Sequence, residues 1–166
     1  MLTRDKLTAV QWRALRNTPH HVVNAVSAAG GSVFDEMLER NAGLQGIVDG
    51  MHSTHPLVRD IAGAAHIMEA QEDVRAWYYT LAEAQRTSPV LQEKAIETLQ
   101  QALDALSTQG GADDVLHYGE FIMATASRVA RAAREGDLFG IGGELVSRGE
   151  RQLLERLYAL VKARQR

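Results

Sequence analysis

Apolar residues recur at intervals of three and four along most of the chain, and no stretch shows the strict alternation of a half-buried strand closed by hairpin turns. Thr8-Ala9-Val10-Gln11 has the form of a capping box that opens a first helix carrying Val10, Trp12 and Leu15. Thr18-Pro19 reads as a cap and first-turn proline for a second helix. That helix would bury Val22, Val23 and Val26 and stop at Gly30-Gly31. Ser32 would cap the next, with Val33, Phe34, Met37, Leu38, Leu44 and Ile47; Gly43 and Gly46 weaken its second half. His55-Pro56 opens a helix whose stripe is Leu57, Val58, Ile61, Ala65 and Met68. The stripe then meets Gln71, Glu72 and Arg75 and resumes out of phase at Val74, Trp77, Tyr78 and Leu81, which predicts a kink or break over residues 69 to 73.

Ser88-Pro89 starts the most regular helix, with Ile96, Leu99, Leu103 and Leu106 ahead of a Gly110-Gly111 stop. Asp113 and Asp114 suit the start of a following helix, where the dipole favours acids. That helix holds Val115, Phe121, Ile122, Val129 and Ala133 and closes at Gly136. A glycine-rich loop, Asp137 to Val146, leads to a second capping box, Ser147-Arg148-Gly149-Glu150. The final helix packs Leu153, Leu154, Leu157, Leu160 and Val161. The expected fold is therefore all-α, an irregular bundle of about seven to eight short helices. No long linker divides it, so residues 1–166 are expected to form a single helical domain. The glycine stop around Val26 to Glu36 is echoed between Ala130 and Asp137. Duplicated helix–loop–helix units would produce this, and so would two ordinary glycine stops.

Composition narrows the chemistry more than it identifies it. The 166 residues include no cysteine, which removes disulfides, thiolate metal sites and a cysteine nucleophile. Aromatic residues are 5 % of the chain, so aliphatic side chains and alanine must fill the core. No apolar run approaches a membrane span, and Met1 to Lys6 lacks the apolar core of a signal peptide, so a cytoplasmic protein without a membrane partner is expected. The net charge is −3, yet from Arg128 onward nine Lys or Arg face only five acids. Such a bias would suit an anion-binding face, a head-to-tail contact with a second copy, or ordinary solvated helix surface. Arg128, Arg131 and Arg134 recur on one face. An anion or nucleic-acid binder that uses this basic C-terminal third is a further alternative, although the absence of a helix-turn-helix or an aromatic platform, and the negative total charge, argue against nucleic acid.

The segment Val129, Ala132, Ala133, Gly136, Asp137, followed by Ser147, Glu150, Leu153, Leu154 and Leu157, resembles the TerB-type domain of tellurite-resistance and related stress proteins. The resemblance implies an all-helical bacterial stress-response protein without catalytic activity, which binds a divalent metal or a protein partner, or forms a homo-oligomer. It places acidic metal ligands at Asp137 and Glu150, with Asp35 or Glu36 as the matching positions in the first half.

Histidine–carboxylate pairs offer a second chemistry. His66-Ile67-Met68-Glu69 and His117-Tyr118-Gly119-Glu120 both read H-x-x-E, and residues three apart on a helix can share a metal, as in carboxylate-bridged di-iron bundles. A metal-dependent helical enzyme built on His66, Glu69, His117 and Glu120 is thus the alternative to a binding protein. Against it, a helical wheel places both pairs on solvent-facing sides, whereas bundle metals need inward ligands. Asp49, His52 and His55 form a further D-x-x-H-x-x-H cluster at a helix junction, suited in spacing to zinc or nickel but also to a plain helix start. His20 and His21 point away from the stripe of Val22, Val23 and Val26 and read as surface residues. Gly140-Ile141-Gly142-Gly143 lacks the Lys-Ser/Thr of a phosphate loop and follows no strand. No G-x-S-x-G elbow is present.

Overall fold

The computed structural model describes residues 2–30, 33–135 and 146–165, with the side chains of 33–35 and 133–135 left aside. It is all-helical: α1 (Ala9–Gly30), α2 (Val33–Asp49), α3 (Pro56–Ile61), α4 (Ala64–Thr80), α5 (Ser88–Gln109), α6 (Ala112–Glu135) and α7 (Arg148–Arg164), with three short 3₁₀ turns. The described residues contain no strand, and no helix among them is long and apolar enough to cross a membrane.

The organising element is α1, which contacts α2, α4, α5, α6 and α7. A helix surrounded on all sides has no solvent face, and from Ala14 to Ser27 only Asn24 is not fully buried. This overturns two expectations. Thr18-Pro19 does not start a new helix, because α1 runs through Pro19. Nor are His20 and His21 on the surface, since both are buried. Proline has no N–H to donate to the carbonyl four residues back, so Leu15 loses its helical partner. Tyr118 of α6 replaces it: its hydroxyl donates to Leu15 O at 2.9 Å in a fully buried position. The Thr18 hydroxyl donates to Ala14 O at 2.6 Å on the turn before. Burial pushes the Tyr118 phenol upward from its ordinary value, so it remains a donor.

Around α1 the core is continuous. Leu15, Val22, Val26, Ile47, Ile61, Leu99, Leu103, Leu106, Ile122, Leu153 and Leu157 are nearly or wholly inaccessible, each such side chain stabilising by about 1.5–3 kcal/mol through burial. Gly43 and Gly119 have a packing reason. A Cβ on Gly43 would meet Val23 and Val129 methyls at 2.6 Å, so its bareness lets α2 lie between α1 and α6. A Cβ on Gly119 would meet Val161 at 2.4 Å, which sets the approach of α7 to α6.

The segment after His55 also differs from expectation. The chain breaks at Ala62-Gly63, not at 69 to 73, and α4 is uninterrupted through those residues. The break resets the helical phase. On α4 the inward positions are Ile67, Ala70, Val74, Trp77 and Tyr78, a single stripe at 3.6-residue period, while Met68 is exposed. Both predicted capping boxes are formed. Thr8 N–H donates to Gln11 Oε1 at 2.9 Å and Gln11 N–H to Thr8 Oγ at 3.2 Å. Ser147 N–H donates to Glu150 Oε2 at 2.7 Å and Glu150 N–H to Ser147 Oγ at 3.1 Å.

The basic bias of the last third is partly answered within the chain. Arg128 pairs with Asp49, Arg156 with Glu93 at 2.8 Å, and Arg164 with Asp104, joining the base-rich and acid-rich parts of the sequence.

Candidate metal centre

Two short-range rules build the site. Proline at position 56 fixes the first turn of α3 and disfavours helical geometry for His55, which sits as N-cap with φ −83° and ψ 120°. Its N–H accepts no helical role and instead donates to Ser53 Oγ at 3.1 Å. Opposite, Gly110-Gly111 ends α5 and α6 begins with Asp113 and Asp114 in its first turn. Asp114 is buried and engaged: Oδ2 accepts from Gly111 N–H at 3.0 Å and Oδ1 from Leu2 N–H at 3.2 Å. Asp113 and His117 stand one turn apart on α6, where i and i+4 share a face.

Packing of α3 on α6 brings His55 onto this face. The His55 and His117 rings stack with centroids 4.6 Å apart and planes 15° apart. His55 Nε2 lies 3.3 Å from Asp113 Oδ2 and 3.5 Å from Asp114 Oδ1. The His55 side chain is only 3 % exposed, yet neither ring nitrogen makes an aligned hydrogen bond. His117 Nδ1 lies 2.9 Å from the Asp113 carbonyl oxygen. A carbonyl only accepts, so in this arrangement Nδ1 carries a proton and a neutral His117 keeps its lone pair on Nε2. Holding one ring nitrogen so that the other is available is the usual support of a metal-ligating histidine.

One ligand atom each from His55, Asp113 and His117 falls within 4.8 Å of the others, the single such trio among the described residues. Ligands on a tetrahedral zinc stand about 3.3 Å apart, given bonds near 2 Å. Closing the trio needs a side-chain adjustment of under about 2 Å, which Asp113, 71 % exposed, is free to make.

The other sequence candidates are placed differently. Asp137 lies outside the described residues, as does the glycine-rich loop. Glu150 is buried and caps the start of α7 through Oε2, which accepts from Ser147 N–H, while its buried Oε1 has no hydrogen-bond partner among the described residues. Glu36 pairs with Arg40 at 2.9 Å, and the Asp35 side chain is not described. His66 is not solvent-facing. It packs edge-on against Trp12 at 5.1 Å and lies 3.5 Å from Asp60 and 3.7 Å from Glu69. The wheel misplaced it because it ran one phase through the break at Ala62-Gly63. Glu69 is bound to Arg16, and Glu120 is exposed. Among the described residues no metal-sized group joins the His66–Glu69 and His117–Glu120 pairs. The Asp49, His52, His55 cluster is also dispersed: Asp49 takes Gln45 and Arg128, and His52 is exposed.

His117 and His55 were thus visible as candidates in separate clusters, while Asp113 read only as a helix-start acid. The D-x-x-x-H spacing of Asp113 and His117 on one helical face was the available signal. Their partnership with His55, more than fifty residues away, was not.

The fold and site define an all-helical bundle with an N₂O donor set at a helix junction. Compared with family models, curated proteins and solved structures, the chain matches none.

Proposed function

We propose that this chain is a non-catalytic helical binding protein that takes one divalent transition-metal ion at His55, Asp113 and His117. The carrying observation is His55: a buried imidazole with no aligned hydrogen bond, facing a carboxylate and a second imidazole within metal-ligand reach. An unmatched buried polar group is costly, and a cation between these donors offsets that cost. Two imidazoles and one carboxylate suit zinc, nickel, cobalt or copper better than magnesium or calcium, which prefer all-oxygen shells. Reaction sites are typically concave and enclosed. Asp113, in the first turn of α6, is mostly exposed, which favours reversible binding over catalysis. The reading keeps the functional class implied by the TerB-type resemblance and moves the ligands from Asp137 and Glu150 to the α3–α6 junction.

Native mass spectrometry and calorimetric titration with Zn²⁺ or Ni²⁺ test the proposal. The expected result is one equivalent bound, lost in His117→Ala and Asp113→Asn and kept in His66→Ala. A protein that binds no metal, or binds it equally well in both variants, would overturn the proposal.

A further inference from the structure

Over α1, the helices α2 and α4 diverge and barely touch each other. Between them opens a cleft of about 330 Å³, floored by His20, Val23 and Asn24 of α1 and walled by α2 and α4. Its polar residues have one sign of charge. Arg40 comes from α2 and Arg75 from α4, and no Asp or Glu is among the described residues that line the cavity. Arg40 pairs with Glu36 through one terminal nitrogen, while its buried Nε has no hydrogen-bond partner. His20 is buried, and burial next to Arg16 lowers it to about 4, so its ring meets the cleft as a neutral donor and acceptor. The rest is apolar and flat. Leu44 and Val74 line the interior, and the Tyr78 and Tyr79 rings stand edge-to-face at 5.7 Å beside them. The Arg86 guanidinium lies 5.2 Å from both ring centres and holds the pair from outside.

We infer that this cleft binds a small organic carboxylate with a flat apolar body, its carboxylate between Arg40 and Arg75 and its body against Leu44, Val74 and Tyr78. The volume is at the lower end for small-molecule sites, which limits the ligand to roughly one or two fused rings. Guanidinium groups hold carboxylates through paired charge-assisted hydrogen bonds, and with no acid among the described lining residues, Arg75 and the part of Arg40 that Glu36 does not engage supply the cleft's positive charge. An inorganic anion would leave the apolar walls uncovered, and a neutral aromatic would leave the arginines unanswered. The site is separate from the α3–α6 junction and does not depend on metal.

The test is an NMR titration of the ¹⁵N-labelled protein at neutral pH with 2-naphthoate, 2-naphthamide and inorganic phosphate as probes. Saturable shifts with naphthoate, centred on Val23, Asn24, Gln71 and Tyr78, are expected. Naphthamide and phosphate should each bind at least about tenfold more weakly, as should naphthoate to Arg75→Met or Arg40→Met, tenfold being what one lost charge-assisted contact produces. Arg75 is exposed, so its variant should stay folded whatever Arg40→Met does. No saturable shift with naphthoate, equal binding of the amide or of phosphate, or unchanged affinity in folded Arg75→Met would overturn the inference.

Discussion

Two polar junctions, at α1–α4 and at α3–α6, differ in whether their charges are answered. At the α1–α4 junction the buried Arg16 reaches Glu69, meets Asp73 at 2.5 Å, and donates from Nε to Asn17 at 3.1 Å; Asn17 in turn donates to Asp73 at 3.1 Å. Both carboxylates keep some solvent contact, and Arg13 adds a looser pairing at 3.5 Å. At the α3–α6 junction a buried imidazole faces an exposed carboxylate and a half-exposed imidazole without an aligned hydrogen bond. The first arrangement is complete as it stands. In the second, the ring nitrogens of the buried imidazole have no aligned hydrogen bond, the gap that the proposed metal would fill. A His–carboxylate motif therefore says little until it is known which of its members are already engaged. His66–Glu69 and His117–Glu120 share a spacing, yet Glu69 belongs to Arg16, while His117 works with Asp113 and not with Glu120.

Acid should separate the two junctions most strongly. Burial lowers His20 to about 4 and His21 to about 3, with Arg16 adding to the first shift and Lys94 and His20 to the second, against a small opposing effect of Asp73. Both folded values lie below the ordinary imidazole value near 6.5. The unfolded chain therefore takes up more protons as the pH falls below about 6.5. Stability that is complete above that pH is lost towards pH 4, by an amount on the order of a few kcal/mol. Urea unfolding between pH 7 and 4.5 should show this loss, and His21→Gln should reduce it. His21 packs edge-on against Trp77 at 5.1 Å, so Trp fluorescence reports the α1–α4 contact directly. A flat stability profile across that range would contradict the buried neutral state of these rings.

Breaking the complete junction by Arg16→Ala should cost about 1.5–3 kcal/mol, the range for hydrogen bonds to charged groups. Full buried-pair values do not apply, since Glu69 and Asp73 remain partly hydrated. Metal stoichiometry should not change. A loss of metal in a folded Arg16→Ala would mean that the two junctions are coupled and that the comparison between them is wrong.

The sequence made the helical class, both capping boxes and the α3 start at Pro56 legible, because each rests on local chemistry. It misread positions whose state depends on what surrounds them. Pro19 looked like a boundary because a proline removes a hydrogen bond; the repair by Tyr118 comes from α6, a hundred residues later. His20 and His21 looked superficial because the apolar stripe of α1 runs beside them, and a helix packed on every side buries its polar face too. The kink expected at 69 to 73 was real evidence of a phase change, but the change sits at Ala62-Gly63. Of the candidate site, His55 and His117 were each visible; their stacking was not, because no local pattern links a helix start to the face of a distant helix.

At the incomplete junction the effect of an added ligand is the measure. A metal that binds only the folded state at one hundred times its dissociation constant stabilises by about 2.7 kcal/mol. Zn²⁺ or Ni²⁺ should therefore raise the unfolding midpoint of the wild type, and chelator should reverse the rise. His117→Ala should unfold near the metal-free wild type and show no rise. Because coordination requires unprotonated imidazole, the rise should shrink on acidification. A metal-induced rise that survives His117→Ala would place the ligands elsewhere.

The smallest effect should come from Tyr118→Phe, which leaves ring packing intact and removes one hydroxyl. In an ordinary helix the Leu15 carbonyl would accept from residue 19, but Pro19 offers nothing. The substitution thus leaves a buried carbonyl without its observed donor, at a cost of about 1–2 kcal/mol. Combining it with Pro19→Ala distinguishes this explanation from simple loss of a polar contact. Alanine at 19 restores the N–H, so the Leu15 carbonyl regains its helical partner and Tyr118→Phe should become nearly neutral in that background. If the two substitutions instead add, the Tyr118 hydroxyl contributes through something other than the gap that proline leaves in α1.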